Sequence, residues 1–519
     1  MIREWSILLV RRMGSALWMF SVLLVLIAGC KNGSGPDDPD NPVDGSNLQL
    51  VVPKTVPVGI PVPFAVMDTT VNPRLTQWLT LNLTTDPSVA PEMELIMKHG
   101  RVAGSTALSD SGSVKIRILN EHGTTLTDRT VKVTSLSSTR ELSGALLGEN
   151  LVWDSSSVVV VNDVVTIPAG ERLSIGAGTI VLLSVNARID VAGSLETEGT
   201  SEAPVVFSST NAQTSWGEIN VQNGGALSLR WTLLTRGGGD DSRAFGHSGS
   251  EPVIHVEYAS VGLDHCFIVD NPGKAMGSLH SMVTLSSSLI AQCDTGGEHL
   301  FSVVTATNTW FMNMPSLQPD PAEDDNDCIY LNDPATNEQP SLLQGCVFVT
   351  GLDDAIDHNG AMVNVDNCVI DDFFHEGVAA SDKNWINVTN TLILGCEQGI
   401  EAGYGSPQVN VNHCVLTGND VGFRFGDNYP TLTHEGTLTV VNSISTENRL
   451  HNVWNYDPTT EQAVEGVIQI TYSIVNDSSF LSNTGNLQGI VEFTEEYLLR
   501  AGSIGTAAAL DGLDMGLLP

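Results

Sequence analysis

The chain has 519 residues, more than one ordinary hydrophobic core organises, so its length predicts two or more domains or one elongated repeat. Only 16% of the residues are charged and 6% aromatic, with 49 glycines and 23 prolines, which excludes a helical bundle or coiled coil and points to a turn-rich all-β chain. Sixty acidic against 23 basic residues, a net charge of −37, exclude a nucleic-acid backbone as partner and leave cations, glycans or simple solubility in a saline medium as reasons for the bias.

Arg3, Arg11 and Arg12 precede an apolar run from Ala16 to Ala28, the order of a secretory signal and too short for a stop-transfer helix. The run closes on Leu26-Ile27-Ala28-Gly29-Cys30, which resembles the lipobox of bacterial lipoproteins. That resemblance implies a signal peptide over 1–29 and a diacylated Cys30 as lipid anchor. Lys31 stands where an Asp often retains such proteins at the inner membrane, so an outer-membrane or cell-surface location is expected. Residues 30–47 are rich in Gly, Pro, Asp and Ser without apolar periodicity and predict a flexible tether.

From Leu48 to Ser138, short alternating runs such as Val114-Lys115-Ile116-Arg117-Ile118, separated by turn residues, predict a small β-sandwich. In pattern it resembles the immunoglobulin-like modules of secreted bacterial proteins, which implies a spacer; it lacks their cysteines.

Seven further cysteines follow Cys30, an odd number without CxxC spacing, so neither a disulfide framework nor a thiolate metal site is expected. Cys266, Cys346, Cys368 and Cys414 recur at one position of a repeated strand and predict a buried column of small side chains. Five segments align on Cys368, Thr391, Cys414, Ser443 and Ser473, at periods of 23, 23, 29 and 30 residues. Such periods in short apolar strands mean a solenoid, and the lack of an LxxLxLxxN pattern favours a β-helix over leucine-rich repeats. The run from Asp163-Val164-Val165-Thr166-Ile167-Pro168-Ala169-Gly170 through Gly193-Ser194-Leu195 to Trp216-Gly217-Glu218-Ile219 resembles the opening coils of the right-handed parallel β-helix repeat, or pectate-lyase-like, superfamily. The resemblance covers residues 139–519 and implies an all-β, right-handed parallel β-helix solenoid; it is weak for activity, because this fold hosts lyases, hydrolases, esterases, adhesins and binding proteins.

A second ladder runs about eleven residues away from those segments. If its apolar residues point inward, Asp357, Glu401 and Arg424 share one outer face, while Asp327, Asp354 and Glu376 occupy consecutive coils beside Asp324, Asp325 and Asp353. Three readings of these carboxylates stand side by side. Asp325, Asp327, Asp354, Asp357 and Glu376 could ligate calcium, two of the carboxyls could act as a glycosidase acid and base, or all could form a solvated acidic face. The family's calcium-dependent polysaccharide lyases imply a basic residue beside the acids, for which Lys383 and Arg424 are the candidates, with His375 as a proton carrier. Glu401, Tyr404 and Trp385 are the substrate-binding candidates; Trp310 and Trp454 could also stack on sugars. The Gly-His-Gly and Arg-x-Lys signatures of polygalacturonase-like hydrolases are absent. The expectation is a monomeric surface lipoprotein that binds, and in one reading cleaves, an extracellular polysaccharide, with a non-catalytic adhesin or structural solenoid as the alternative.

Overall fold

The computed structural model describes residues 47–519 except 71, 76–77, 137–138, 315–325, 336–337, 428–430, 458–461 and 465–466. The leader, Cys30, the tether up to residue 46, and Asp324 and Asp325 lie outside the described residues.

Alternation of apolar and polar residues at period two makes strands, and repeating it every coil makes them stack in parallel. One coil shows the unit: Met362–Asp366, Val369–Phe373 and Glu376–Asp382 lie in three different sheets. The next coil repeats it with Trp385–Thr389, Leu392–Leu394 and Gln398–Gly405. The result is a parallel β-helix. Among the described residues its first sheet has thirteen strands, from Val152–Trp153 to Ile468–Thr471. The second runs from Ile180–Leu183 to Ile474–Val475, and the third from Arg188–Val191 to His451–Asn455. Inward positions stack like on like: Val363, Ile386, Val409, Leu438 and Ile468 form one buried row.

From the strand Ala226–Arg230 onward, each coil turns from the first to the second sheet through a residue with positive φ, including Asn367, Asn390, His413 and Asn442 at 48–55°. Asn tolerates this left-handed conformation better than most residues. The next position is the expected column. All seven described cysteines are free and buried. The column is nevertheless hydrogen-bonded rather than purely apolar. Thr391 Oγ1 accepts from the Cys368 N–H and donates to the Thr389 carbonyl, and Ser443 Oγ likewise accepts from Cys414 N–H.

Residues 48–134 form a two-sheet sandwich. Leu48–Val51, Pro61–Asp68 and Arg101–Ala107 make one sheet; Thr55–Pro57, Leu79–Asp86, Met93–Met97, Gly112–Asn120 and Thr125–Thr134 make the other. A free spacer is not what the fold contains. Ile60, Ala65 and Ala103 join one apolar cluster with Leu182, Leu233, Phe267, Val269 and Met312 on the outer side of the second sheet. Polar contacts rim this junction. His99 Nε2 is 3.0 Å from Asp371 Oδ2, Lys98 Nζ is 3.1 Å from Asp372 Oδ2, and the Arg101 guanidinium lies 4.5 Å over the Trp310 ring. The reason is legible in strands such as Ile180–Leu183, buried at all four positions: apolar on both sides, they need a cover. The C-terminal segment covers the rest of that side, with Met515 and Leu517 buried and Leu518 N–H donating to Asn390 Oδ1 at 2.8 Å. Arg74 joins the two covers by donating to the Leu518 carbonyl, 2.8 Å, and to Asn367 Oδ1, 2.7 Å.

Candidate functional site

On the third sheet, strand register places Glu298, Tyr330, Asp357, Ala379, Glu401, Arg424 and Trp454 in one outward row. Adjacent members are about 4.8 Å apart, the strand spacing. A second row lies where the strands begin: Asp327, Asp354, Glu376 and Gln398, linked by Cys328 N–H to the Asp354 carbonyl and Ala355 N–H to the Glu376 carbonyl. Together they form a strip of acids along one side of the solenoid.

These acids are packed rather than solvated. Asp327, Asp354 and Glu401 are buried. Burial, then Asp357 and Asp353, push the Asp327 carboxyl well above the usual range; burial, then Glu376 and Asp353, do the same to Asp354. Glu401 is raised by burial and Glu376, against the opposing charge of Arg424. These carboxyls therefore hold their protons to higher pH than an ordinary carboxylate does, the property a proton donor needs. Asp354 Oδ1 accepts from the Glu376 N–H at 2.8 Å, which fixes its orientation.

The strip also contains residues that sequence patterns did not single out. The loop of residues 236–251 folds over the third sheet and is pinned there by Arg243, which pairs with the buried Glu218. Its anchor is Glu298, whose carboxylate accepts from His247 N–H at 2.9 Å and Ser248 N–H at 3.1 Å and pairs with the buried Lys274 Nζ at 2.5 Å. Burial would raise the Glu298 carboxyl, but His247, Lys274 and Ser248 outweigh it and hold it at about 2. Gly246 makes the approach possible. It has φ +70°, and a Cβ there would lie 1.3 Å from Glu298 Oε2. His247 then stacks on Tyr330 with ring centroids 4.0 Å apart. A lone Lys in the strand Lys274–Leu279 and an acid following Gly296-Gly297 were the available signals for this pair.

Of the proposed catalytic residues, His375 lies at the strip, its Nδ1 2.7 Å from Asp353 Oδ1. Burial lowers its pKa, but the Asp353 hydrogen bond and the charges of Glu376 and Asp353 prevail and raise it to about 9. Arg424 is also there, but committed: it donates to Gln398 Oε1 at 2.7 Å, pairs with Glu401 Oε2 at 3.2 Å and packs 4.9 Å from the Trp454 ring. Lys383 is not brought to the acids. It lies seven residues beyond Glu376, roughly 20 Å along an extended strand, and is held by Asp333 at 2.7 Å and Asp382 at 3.3 Å. Of the substrate candidates, Glu401 is in the strip and Tyr404 is the last residue but one of the same strand, Gln398–Gly405, whereas Trp385 opens a strand of the first sheet. Trp310 sits under the sandwich, its Nε1 donating to the His99 carbonyl at 3.4 Å. Among the described residues, two groups bring metal-type donor atoms within 4.8 Å of one another: His247, Asp327 and Asp357; and Asp353, Asp354 and His375. A cavity of about 850 Å³ lies elsewhere, between sandwich, second sheet and C-terminal segment, lined by Arg74, Trp231, His265 and Trp310.

No family model matches the chain, and no curated protein matches it. Among solved structures, an alginate lyase from Paenibacillus sp. str. FPU-7 is similar at 12% identity over 56% of this chain and 93% of that one, with a TM-score of 0.23. At that score the likeness carries no argument about this chain.

Proposed function

We propose that the protein is a cell-surface lipoprotein, acylated at Cys30, whose β-helix binds an extracellular polysaccharide along the carboxylate strip and hydrolyses it with Asp354 and Glu376. The observation that carries this reading is the Asp354–Glu376 step: a buried carboxyl raised well above its usual range beside a second carboxyl in the next coil. A coil step of about 4.8 Å is close to the carboxyl separation of roughly 5–5.5 Å used by retaining glycosidases. In that chemistry Asp354 gives its proton to the glycosidic oxygen as the anomeric C–O bond breaks. Glu376 takes the anomeric carbon, and water, deprotonated by Asp354, then releases the sugar. Elimination in the manner of a lyase is less well supported, because Lys383 stands apart and Arg424 is engaged by Glu401 and Gln398.

A non-catalytic adhesin is the second reading, favoured by one observation: the 850 Å³ cavity is at the sandwich junction rather than at the acids. The test is incubation of the full chain carrying Cys30→Ser with neutral and uronate polysaccharides, with and without chelator, following new reducing ends and unsaturated-uronate absorbance. Hydrolysis predicts reducing ends without that absorbance and a loss of about 10²–10⁴-fold in Asp354→Asn. Binding without cleavage of any substrate would establish the adhesin. Acylation is checked separately, by loss of the chain from the membrane fraction on Cys30→Ser.

A further inference from the structure

The cavity of about 850 Å³ at the sandwich junction takes no part in the carboxylate strip, and its shape follows from the repeat. Its floor is the turn between the first and second sheets, to which seven consecutive coils each give one residue, from Trp231 to Asn390. All seven have φ between 43° and 62°. Successive rungs are joined along the axis, as by the Asn308 N–H to the Gln344 carbonyl and the Gly345 N–H to the Asp366 carbonyl, each at 2.9 Å. Six strand steps make the floor about 29 Å long. The sandwich contributes Met67, Pro73 and Arg101 to the walls, and the C-terminal segment Glu496 and Leu498. The space is therefore a channel along the solenoid, shaped for an extended polymer rather than for a compact metabolite.

Charge sets this channel apart. A chain with 60 acidic and 23 basic residues lines it with two arginines, Arg74 and Arg101, and one acid, Glu496. Among the described residues neither guanidinium is ion-paired: Arg74 donates to the Leu518 carbonyl and Asn367 Oδ1, and Arg101 Nη1 donates to the Asp68 and Gly100 carbonyls. Burial lowers the Arg101 pKa to about 10, against the charge of Asp68, so it is still a cation at neutral pH. A partly desolvated cation held only by neutral oxygens is a place where an anion is stabilised. Trp231, stacked on His265 with centroids 4.5 Å apart, and Trp310 add aromatic surface of the kind that packs on sugar rings. The ladder's N–H groups are spent between coils, so an incoming peptide finds no strand edge to pair with. We infer that this channel binds a linear acidic glycan, with its anionic groups at Arg74 and Arg101 and its sugar rings against Trp231 and Trp310. At physiological salt the Debye length is about 8 Å, so acids on the other faces of the solenoid do not outweigh these local cations.

The test is calorimetric binding of oligogalacturonate, and separately of a heparin oligosaccharide, to the full chain carrying Cys30→Ser, in the presence of chelator. Methyl-esterified oligogalacturonate is the control of similar shape without the charge. At least one acidic probe should bind, and about 10-fold or more weaker in Arg101→Met. Because Arg101 also makes bonds within the sandwich, Asn308 supplies variants that spare the fold: it is exposed on the channel floor, and its side chain makes no hydrogen bond among the described residues. Asn308→Asp, of the same shape, should weaken binding about 3-fold or more, and Asn308→Lys should strengthen it by a similar factor. Equal affinity for the methyl-esterified probe, no binding of either acidic probe, or affinity indifferent to both Asn308 changes would each overturn the site. Binding is read without turnover and at a different face from Asp354 and Glu376. Failure here therefore leaves the hydrolase reading standing, and absence of cleavage leaves the channel standing.

Discussion

The second sheet turns Leu182, Leu233, Phe267, Val269 and Met312 outward, and sandwich and C-terminal segment lie on them. The third sheet turns Glu298, Tyr330, Asp357, Glu401 and Arg424 outward, and the loop of residues 236–251 with its paired charges lies over part of them. Both are outer faces of one solenoid with one repeat. The difference teaches that a β-helix fixes what points in, whereas the chemistry of what points out sets the kind of partner required: apolar rows call for cover, and buried acids call for a proton or a counter-charge.

The largest effect is expected where a counter-charge is removed from the third sheet. Lys274→Met strands Glu298 in a fully buried position and should cost about 3–5 kcal/mol in urea unfolding, with much of that recovered when Glu298→Leu is added. If the double variant is no better than the single, the pair is not a unit. A pH series sharpens the same contrast. Glu251 is raised to about 8, mainly by burial and by Glu218 against the Asp240 N–H. Its folded value lies above its unfolded value of about 4.3, so its contribution is full below that pH and is lost as pH rises towards 8. Comparing stability across that interval, Glu251→Gln should lack a decline of up to about 5 kcal/mol that the parent shows. On the covered sheet the response should be packing alone. Met515→Ala opens a cavity beneath the C-terminal segment and should cost about 2–3 kcal/mol, read by unfolding and by faster proteolysis of residues 487–519, with no pH dependence. The smallest effect belongs to the internal column. Cys368→Ser should change stability by under about 1 kcal/mol, because Ser443 and Ser473 already make the corresponding hydrogen bonds.

Much of this contrast was open to a reader of the chain. The Cys368, Thr391, Cys414, Ser443 and Ser473 series predicted the coils, and the positions of Asp357, Glu401 and Arg424 predicted a shared outer row. The unbroken apolar run Ile180–Leu183 was a signal for a covered face, but not for its cover. Lys383 was misplaced because a basic residue near an acid in sequence can sit at the far end of the same strand. His247 and Lys274 were missed because Glu298, which gathers them, lies 51 and 24 residues away and carries no motif with them.

Sequence by itself therefore determined the β-helix, the identity of its inward rows and the acidic face, since period-two alternation and a coil-length repeat are properties of neighbouring residues. Only the tertiary structure decided that the sandwich docks rather than spaces, that Arg424 is engaged and Lys383 remote, and that Glu298 joins Lys274 to His247. Each of these depends on which groups from distant coils desolvate one another, and burial and charge pairing are set by three-dimensional proximity, which no local pattern encodes.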